Sequence, residues 1–498
     1  ASDGIKLTPL GTTREYPDHG GDVRVRAGRD ARGVDGNQLV SHWLFRAGNA
    51  SGATGWTVAY ERFQQGIGAL GGGDVQLSAG RDIDNLSAVI PSIGKQVGGT
   101  AASANVVEII GGGNLSVEAG RDIASGLYYV GLGDARIDAD GAITSNRNGA
   151  NGPLHTVLAL GDGAIDVQAR GALELESVFN PTLVVQNSAN GSFTQKSFFS
   201  TYSADSAVSL TSLSGAVALN NDADGLARAS GLTFNGANGD VNALILYPGT
   251  LTAQALQGDV QLHGSAVWMA PAPKGNLQLF AAGDVQFPAG MTFNMSDADP
   301  ALLASVAQPA QTFASTYAAF LGFGQHAATP VHADAAQPDG IADRTPVRIV
   351  TLDGDIRMQA DNLSADAVKL LLPKSARIVA GRDIRDLELV AQNLRDSDVT
   401  TLMAGRDIVY SISRSPEGSL QLNQRDITLD GPGMLELIAG RDINLGTSPG
   451  VQTRGNGFNT NLADTGAGVL VLAGTDALAI DAFISDYPRY FTADSFAA

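Results

Sequence analysis

Cysteine is absent from the 498 residues, so stability cannot rest on disulfides. That suits export through an oxidising compartment without mispairing, and suits a reducing one equally well. Aromatic residues are scarce at 6%, which speaks against a core built on rings and fits a thin core of Val, Leu, Ile and Ala. Positive charge is in deficit. Lys and Arg number 32 against 51 Asp and Glu, and the net charge of −19 excludes binding of nucleic acid or an anionic membrane through a basic patch. No apolar run approaches the roughly 20 residues of a membrane-spanning helix. No signal peptide heads the chain, and it opens inside a repeat without a polar cap, so a piece of something longer is expected. Glutamate is rare as well, 9 residues against 42 Asp. Aspartate serves corners and turns better than exposed helices.

Glycine is abundant, at 61 residues, and a short phrase recurs with it. Ala-Gly-Arg-Asp stands at 27–30, 79–82, 119–122, 380–383, 404–407 and 439–442, and five of the six copies continue with Ile. An alternating run precedes each copy. Val75, Leu77 and Ala79 alternate with Gln76 and Ser78, and Leu115, Val117 and Ala119 with Ser116 and Glu118. Period-two alternation marks a strand with one buried face. The residues expected to build the corners are Gly28, Asp30, Gly80, Asp82, Gly120, Asp122, Gly381, Asp383, Gly405, Asp407, Gly440 and Asp442. Glycine there is expected to take φ > 0, and aspartate to hold the turn by bonding nearby backbone amides.

A second phrase, Gly-Asp or Gly-Asn before Val, Leu or Ile, opens each unit at 73–75, 113–115, 239–241, 258–260, 275–277, 283–285 and 354–356. Asn114 to Asp134 is 20 residues, Asp240 to Asp259 is 19, and Asp383 to Asp407 is 24. Spacings near one or two multiples of about 20 suit one coil of a solenoid with about three strands and three corners. The fold class expected is all-β: a right-handed parallel β-helix with a helical or loop insertion. About 400 residues of coil at roughly 20 per turn predict about 20 turns and a rod near 100 Å.

The expected organisation has four parts. Residues 1–296 are β-helix, interrupted at 33–70 by an aromatic excursion holding Trp43, Phe45, Trp56, Tyr60 and Phe63. That excursion packs on the outside of the helix or plugs its end, with a ligand platform as the alternative. Residues 297–345 form a helical and loop insertion, because Asp297 can cap, Pro300 suits a first turn, and 301–323 is Ala-rich. No Lys or Arg occurs between Lys274 and Arg344. Phe313, Tyr317, Phe320 and Phe323 give this insertion apolar area for docking, on its own wall or on a partner. Residues 346–475 resume the β-helix, and 476–498 read as a short helix or cap over the open end.

Phe63 to Lys95, FQQGIGALGGGDVQLSAGRDIDNLSAVIPSIGK, resembles a known family, as do LLPKSARIVAGRDIRDL at 371–387 and VQTRGNGFNTNLADTGAGVLVLAG at 451–474. They resemble the conserved region of unknown function in filamentous-haemagglutinin-family large exoproteins of Gram-negative bacteria. The resemblance covers most of the chain and keeps the order of its segments. It implies a two-partner-secretion passenger, an outer-membrane transporter as partner, and a secreted or cell-surface location. It also implies adhesion to a host or bacterial receptor or a matrix glycan, biofilm formation, or contact-dependent toxin delivery.

The alternative is a carbohydrate-active enzyme, a lyase or glycosidase, on the same scaffold. Glu174 and Glu176 share one strand face about 7 Å apart, which suits paired carboxylates. Any Glu-x-Glu strand does the same, so no catalytic residue is assigned. Calcium-binding β-rolls need a tandem nonapeptide, and Gly71–Asp74 occurs once. No metal or cofactor is expected, and the Gly-x-Gly pairs carry no phosphate-binding signal. The protein is therefore expected to be structural and not an enzyme.

Overall fold

A strand with alternating side chains buries one face only if another element covers it, and stacked copies of the same strand do this for one another. The computed structural model describes residues 17, 19–33, 40–46, 55–64, 66–97, 106–146, 148–149, 152–153, 155–183, 187–188, 200–221, 246–264, 266–288, 291–299, 305, 331–332, 343–358, 369–423 and 425–475. These residues are nearly all strand and turn; Val40–Trp43 is a single helical turn.

Three parallel sheets carry the architecture. The long sheet has 13 strands, from Val23–Ala27 to Gly468–Leu472, each paired with the strand of the next repeat. The broad sheet has 16 strands, among them the short segments Ile83–Asp84, Ile123–Ala124 and Ile384–Arg385. The short sheet has seven, from Leu246–Tyr247 to Gly450–Gly455. The chain visits them cyclically. Ala376–Ala380 lies in the long sheet, Ile384–Arg385 in the broad, Leu389–Gln392 in the short, and Val399–Ala404 is back in the long. Such long parallel sheets are compatible with a solenoid. Before Leu246 the segments Ser87–Ile90, Leu127–Leu132 and Thr156–Asp162 join the broad sheet instead of a third face.

Register turns the alternation into a core. Val25, Leu77, Val117, Ile137, Val167, Leu210, Ala253, Leu279, Ile349, Ile378, Leu402, Leu437 and Val471 stand in one column. All but the two end members are buried. Burial of each aliphatic side chain contributes about 1.5–3 kcal/mol. At the last rung Val471 is 52% exposed and Val469 47%, because no described strand lies beyond them.

The expected count of turns is corrected. Among the described residues the long sheet has thirteen strands, which at about 4.8 Å per rung span about 58 Å rather than 100 Å. Equivalent residues of neighbouring rungs are 20 apart between Asn114 and Asp134, but 52 between Asp22 and Asp74 and 71 between Asp284 and Asp355. The excess chain leaves at corners, where neighbouring rungs keep their pairing. One such excursion is the antiparallel pair Ser92–Val97 and Val106–Gly111; another is the hairpin Ser413–Arg414 with Leu420–Gln421.

Within the aromatic stretch 33–70, the described rings pack against one another and their neighbours. Trp43 and Trp56 are buried, Trp43 stands edge-on to Phe63 with centroids 5.4 Å apart, and the Trp56 indole donates to the Ser92 carbonyl at 2.8 Å. A Cβ on Gly94 would lie 2.2 Å from the Trp56 ring, so this strand pair admits only glycine there. Phe313, Tyr317, Phe320 and Phe323, most of the 297–345 insertion, and 476–498 lie outside the described residues.

Candidate functional site

The Ala-Gly-Arg-Asp corner joins the long sheet to the broad one, and its glycine has a different cause from the one expected. Gly28, Gly80, Gly120, Gly381, Gly405 and Gly440 are not among the glycines with positive φ. For Gly80, Gly120, Gly381 and Gly405 the constraint is close approach between rungs. A Cβ on Gly80 would lie 2.4 Å from the Gly28 oxygen, on Gly120 2.4 Å from the Gly80 oxygen, and on Gly405 2.2 Å from the Gly381 oxygen. The left-handed turn sits at the next corner, on Asn85 (φ 51°), Ser125 (φ 59°) and Asp386 (φ 52°), each two residues after the Ile. Asn and Asp tolerate that conformation because their short side chains bond locally.

The aspartates also act between rungs, not within the turn. Asp383 Oδ1 accepts the Asp407 amide at 3.2 Å, and Asp407 Oδ1 accepts the Asp442 amide at 3.1 Å. Asp122 Oδ1 accepts the Ala142 amide at 2.8 Å, and Asp82 Oδ1 the Asp122 amide at 3.4 Å. Asp259, Asp284 and Asp355 belong to this same ladder, since each accepts the amide of the next member, ending on Asp383. The phrases at 258–260, 283–285 and 354–356 are therefore corners and not unit openings. A second ladder does run through the openings: Asp22, Asp74, Asn114 and Asp134 each accept an amide one rung on.

At four of the Ala-Gly-Arg-Asp corners the arginine reaches back one rung. Arg81 pairs with Asp30, Arg121 with Asp82, Arg406 with Asp383 and Arg441 with Asp407. The Arg81 guanidinium holds the Asp30 carboxyl below its ordinary range, and Arg121 does the same for Asp82. Burial works to raise the Asp383 carboxyl, but Arg406, the Asp407 amide and Arg385 together hold it low.

Outside the ladders, a groove of about 450 Å³ crosses the outer face of the long sheet, lined by Asp74, Gln76, Asn114, Ser116, Asp134 and Arg136. Two of its three carboxylates are already engaged: Asp74 and Asp134 accept backbone amides, and Asp166 is the third. The groove offers a few hydrogen-bonding side chains beside an apolar lining that includes Leu115, Ala135 and Ala164. Of the carboxylates on one strand face, Glu174 is part-exposed with the His155 imidazole 3.8 Å away, whereas Glu176 is buried. The two are not open to one substrate. Among the described residues no group of three or more His, Cys, Asp or Glu is placed to hold a metal ion.

One buried polar cluster had no signal in the sequence beyond Asp297 itself. Asp297 accepts the His332 amide at 2.9 Å, faces the His332 imidazole at 3.2 Å, and accepts from Gln392 at 3.2 Å. Lys374 is buried and donates to Asp343 at 2.6 Å and to the Gly275 carbonyl at 2.7 Å. These contacts tie both ends of the insertion, and His332 within it, to the short-sheet side of the stack. Set against known proteins, the chain matches no family model, no curated protein and no solved structure.

Proposed function

We propose that this chain is a length of right-handed parallel β-helix from a secreted or surface-exposed exoprotein of Gram-negative bacteria, of the filamentous-haemagglutinin kind. Its work is structural: a stiff stalk or display surface for adhesion, biofilm formation or presentation of an effector. The partners in this reading are an outer-membrane two-partner-secretion transporter and a surface receptor or matrix glycan.

The observation that supports it most is the single register through 13 strands of the long sheet, with an Asp accepting the next rung's amide at successive corners. A parallel stack with cross-linked corners resists bending, which is what a stalk requires. The test sets the purified chain beside a panel of polysaccharides and beside immobilised cells and matrix. Retention on cells or matrix without release of sugar fragments is the expected result. Release of reducing ends or unsaturated uronates would replace the stalk with the lyase or glycosidase reading.

A further inference from the structure

The outer face of the long sheet changes character along its length. At one register position the outward residues are Arg26, Ser78, Glu118, Asp138, Gln168, Thr211 and Gln254, all polar. From the next rung onward the same position holds Phe280, Val350, Val379, Met403, Ile438 and Leu472. Six consecutive apolar residues on an outward face make a stripe about 24 Å long. Each is only part-buried. On one side the stripe is bordered by the exposed Leu352 and, on later rungs, by the corner glycines Gly381, Gly405 and Gly440, which add no side chains. On the other side stand the exposed Arg348 and Arg377. One outward neighbour is covered: Glu436, on the rung next to the last, is 7% exposed although it faces away from the core.

We propose that this stripe is the seat of the chain's own residues 476–498. That segment follows Thr475, three residues beyond Leu472 at the stripe's last rung. It combines apolar Leu478, Ile480, Phe483 and Ile484 with Asp476, Asp481, Asp486 and Asp494 against a single Arg489, a composition that complements an apolar stripe beside Arg348 and Arg377. The described residues of the 297–345 insertion make their contacts elsewhere. Ser305 bridges to Ser200, His332 lies against Asp297 at the end of a short-sheet strand, and Asp343 pairs with Lys374. Met358 and Lys369, which flank residues 359–368, stand in the broad and short sheets and not in the long one. Covering the stripe removes a part-exposed apolar surface from water.

The absence of cysteine makes the test clean. Thr401→Cys, beside Met403 on the outer face, is labelled in the full chain with a benzophenone maleimide, irradiated and digested. Adducts to peptides within 476–498 of the same molecule are expected. Adducts to 300–342, a covalent dimer with a second copy, or no adduct would each overturn the proposal. A second variant gives an independent reading. Arg489 is the lone tryptic site in the segment, so Met403→Asp should speed loss of residues 490–498 by about tenfold at an unchanged melting temperature. Equal cleavage rates in the variant and the natural chain would also overturn it.

Discussion

Arg406 grips Asp383 from the following rung with two hydrogen bonds, Nε to Oδ1 at 3.0 Å and Nη2 to Oδ2 at 2.7 Å. The Asp383 side chain is 1% exposed, whereas Asp407, the partner of Arg441, is 18% exposed. One phrase therefore makes ion pairs of unequal worth. Arg406→Ala leaves a buried carboxylate with only Arg385 and an amide, and should cost about 1–2 kcal/mol. Arg441→Ala, in the more open pair, should cost under about 1 kcal/mol. Chemical melts of the two variants check the order. Because the folded Asp383 carboxyl is held low, its contribution is present above the ordinary carboxylate range and lost as pH falls through the lowered value. The difference between Arg406→Ala and the natural chain should shrink in strong acid.

The corner glycines offer a test of close approach against backbone conformation. Gly405→Ala puts a methyl 2.2 Å from the Gly381 oxygen, whereas Gly28→Ala meets nothing within 4 Å. The first should destabilise by about 2–4 kcal/mol and the second by less than about 0.5 kcal/mol. Equal losses, read from melts and from local amide exchange, would restore the conformational explanation.

The Lys374–Asp343 pair fastens the end of the insertion. Burial lowers the Lys374 ammonium, and the Asp343 carboxylate beside it works against that. Removing Asp343 strands a buried cation, so Asp343→Ala should cost about 2–4 kcal/mol. Adding Lys374→Met should recover most of the loss. A double variant no better than the single one would show that the pair is not what holds the segment.

Glu388 gives a pH signature. Burial pushes its carboxyl up to about 7, with Lys369 at 3.6 Å opposing. The folded state binds this proton more tightly than the unfolded chain does. Its contribution is therefore full below the ordinary carboxylate value and lost as pH rises through about 7. Glu388→Gln should leave stability unchanged at pH 4 and raise it by about 2 kcal/mol at pH 8. A variant without gain at pH 8 would mean that Lys369 keeps the carboxylate ionised.

The strands were legible because alternation is local. Val75-Gln76-Leu77-Ser78-Ala79 announces its buried face without reference to any other residue, and in the structure it is buried, exposed, buried, intermediate, buried. The corner phrase was legible for the same reason, and its Arg and Asp do form a ladder. The cause of its glycine was not legible, because the clash it avoids is with an oxygen 24 residues earlier, at Gly381 for Gly405, or 40 earlier, at Gly80 for Gly120. Likewise Gly354-Asp355-Ile356 carries the same dipeptide as a unit opening, and only its rung neighbours Asp284 and Asp383 identify it as a corner.

The sequence by itself therefore determined the strand type, the inward and outward faces, the corner phrase and the scarcity of basic surface, all properties of residues within a few positions of one another. Tertiary structure alone decided the number of rungs, since chain length says nothing about how many residues leave at each corner. It also decided which of two identical dipeptides turns the chain, and which carboxylates are buried. The apolar stripe from Phe280 to Leu472 belongs to the same class: its members lie 24 to 70 residues apart along the chain, and only parallel register brings them side by side.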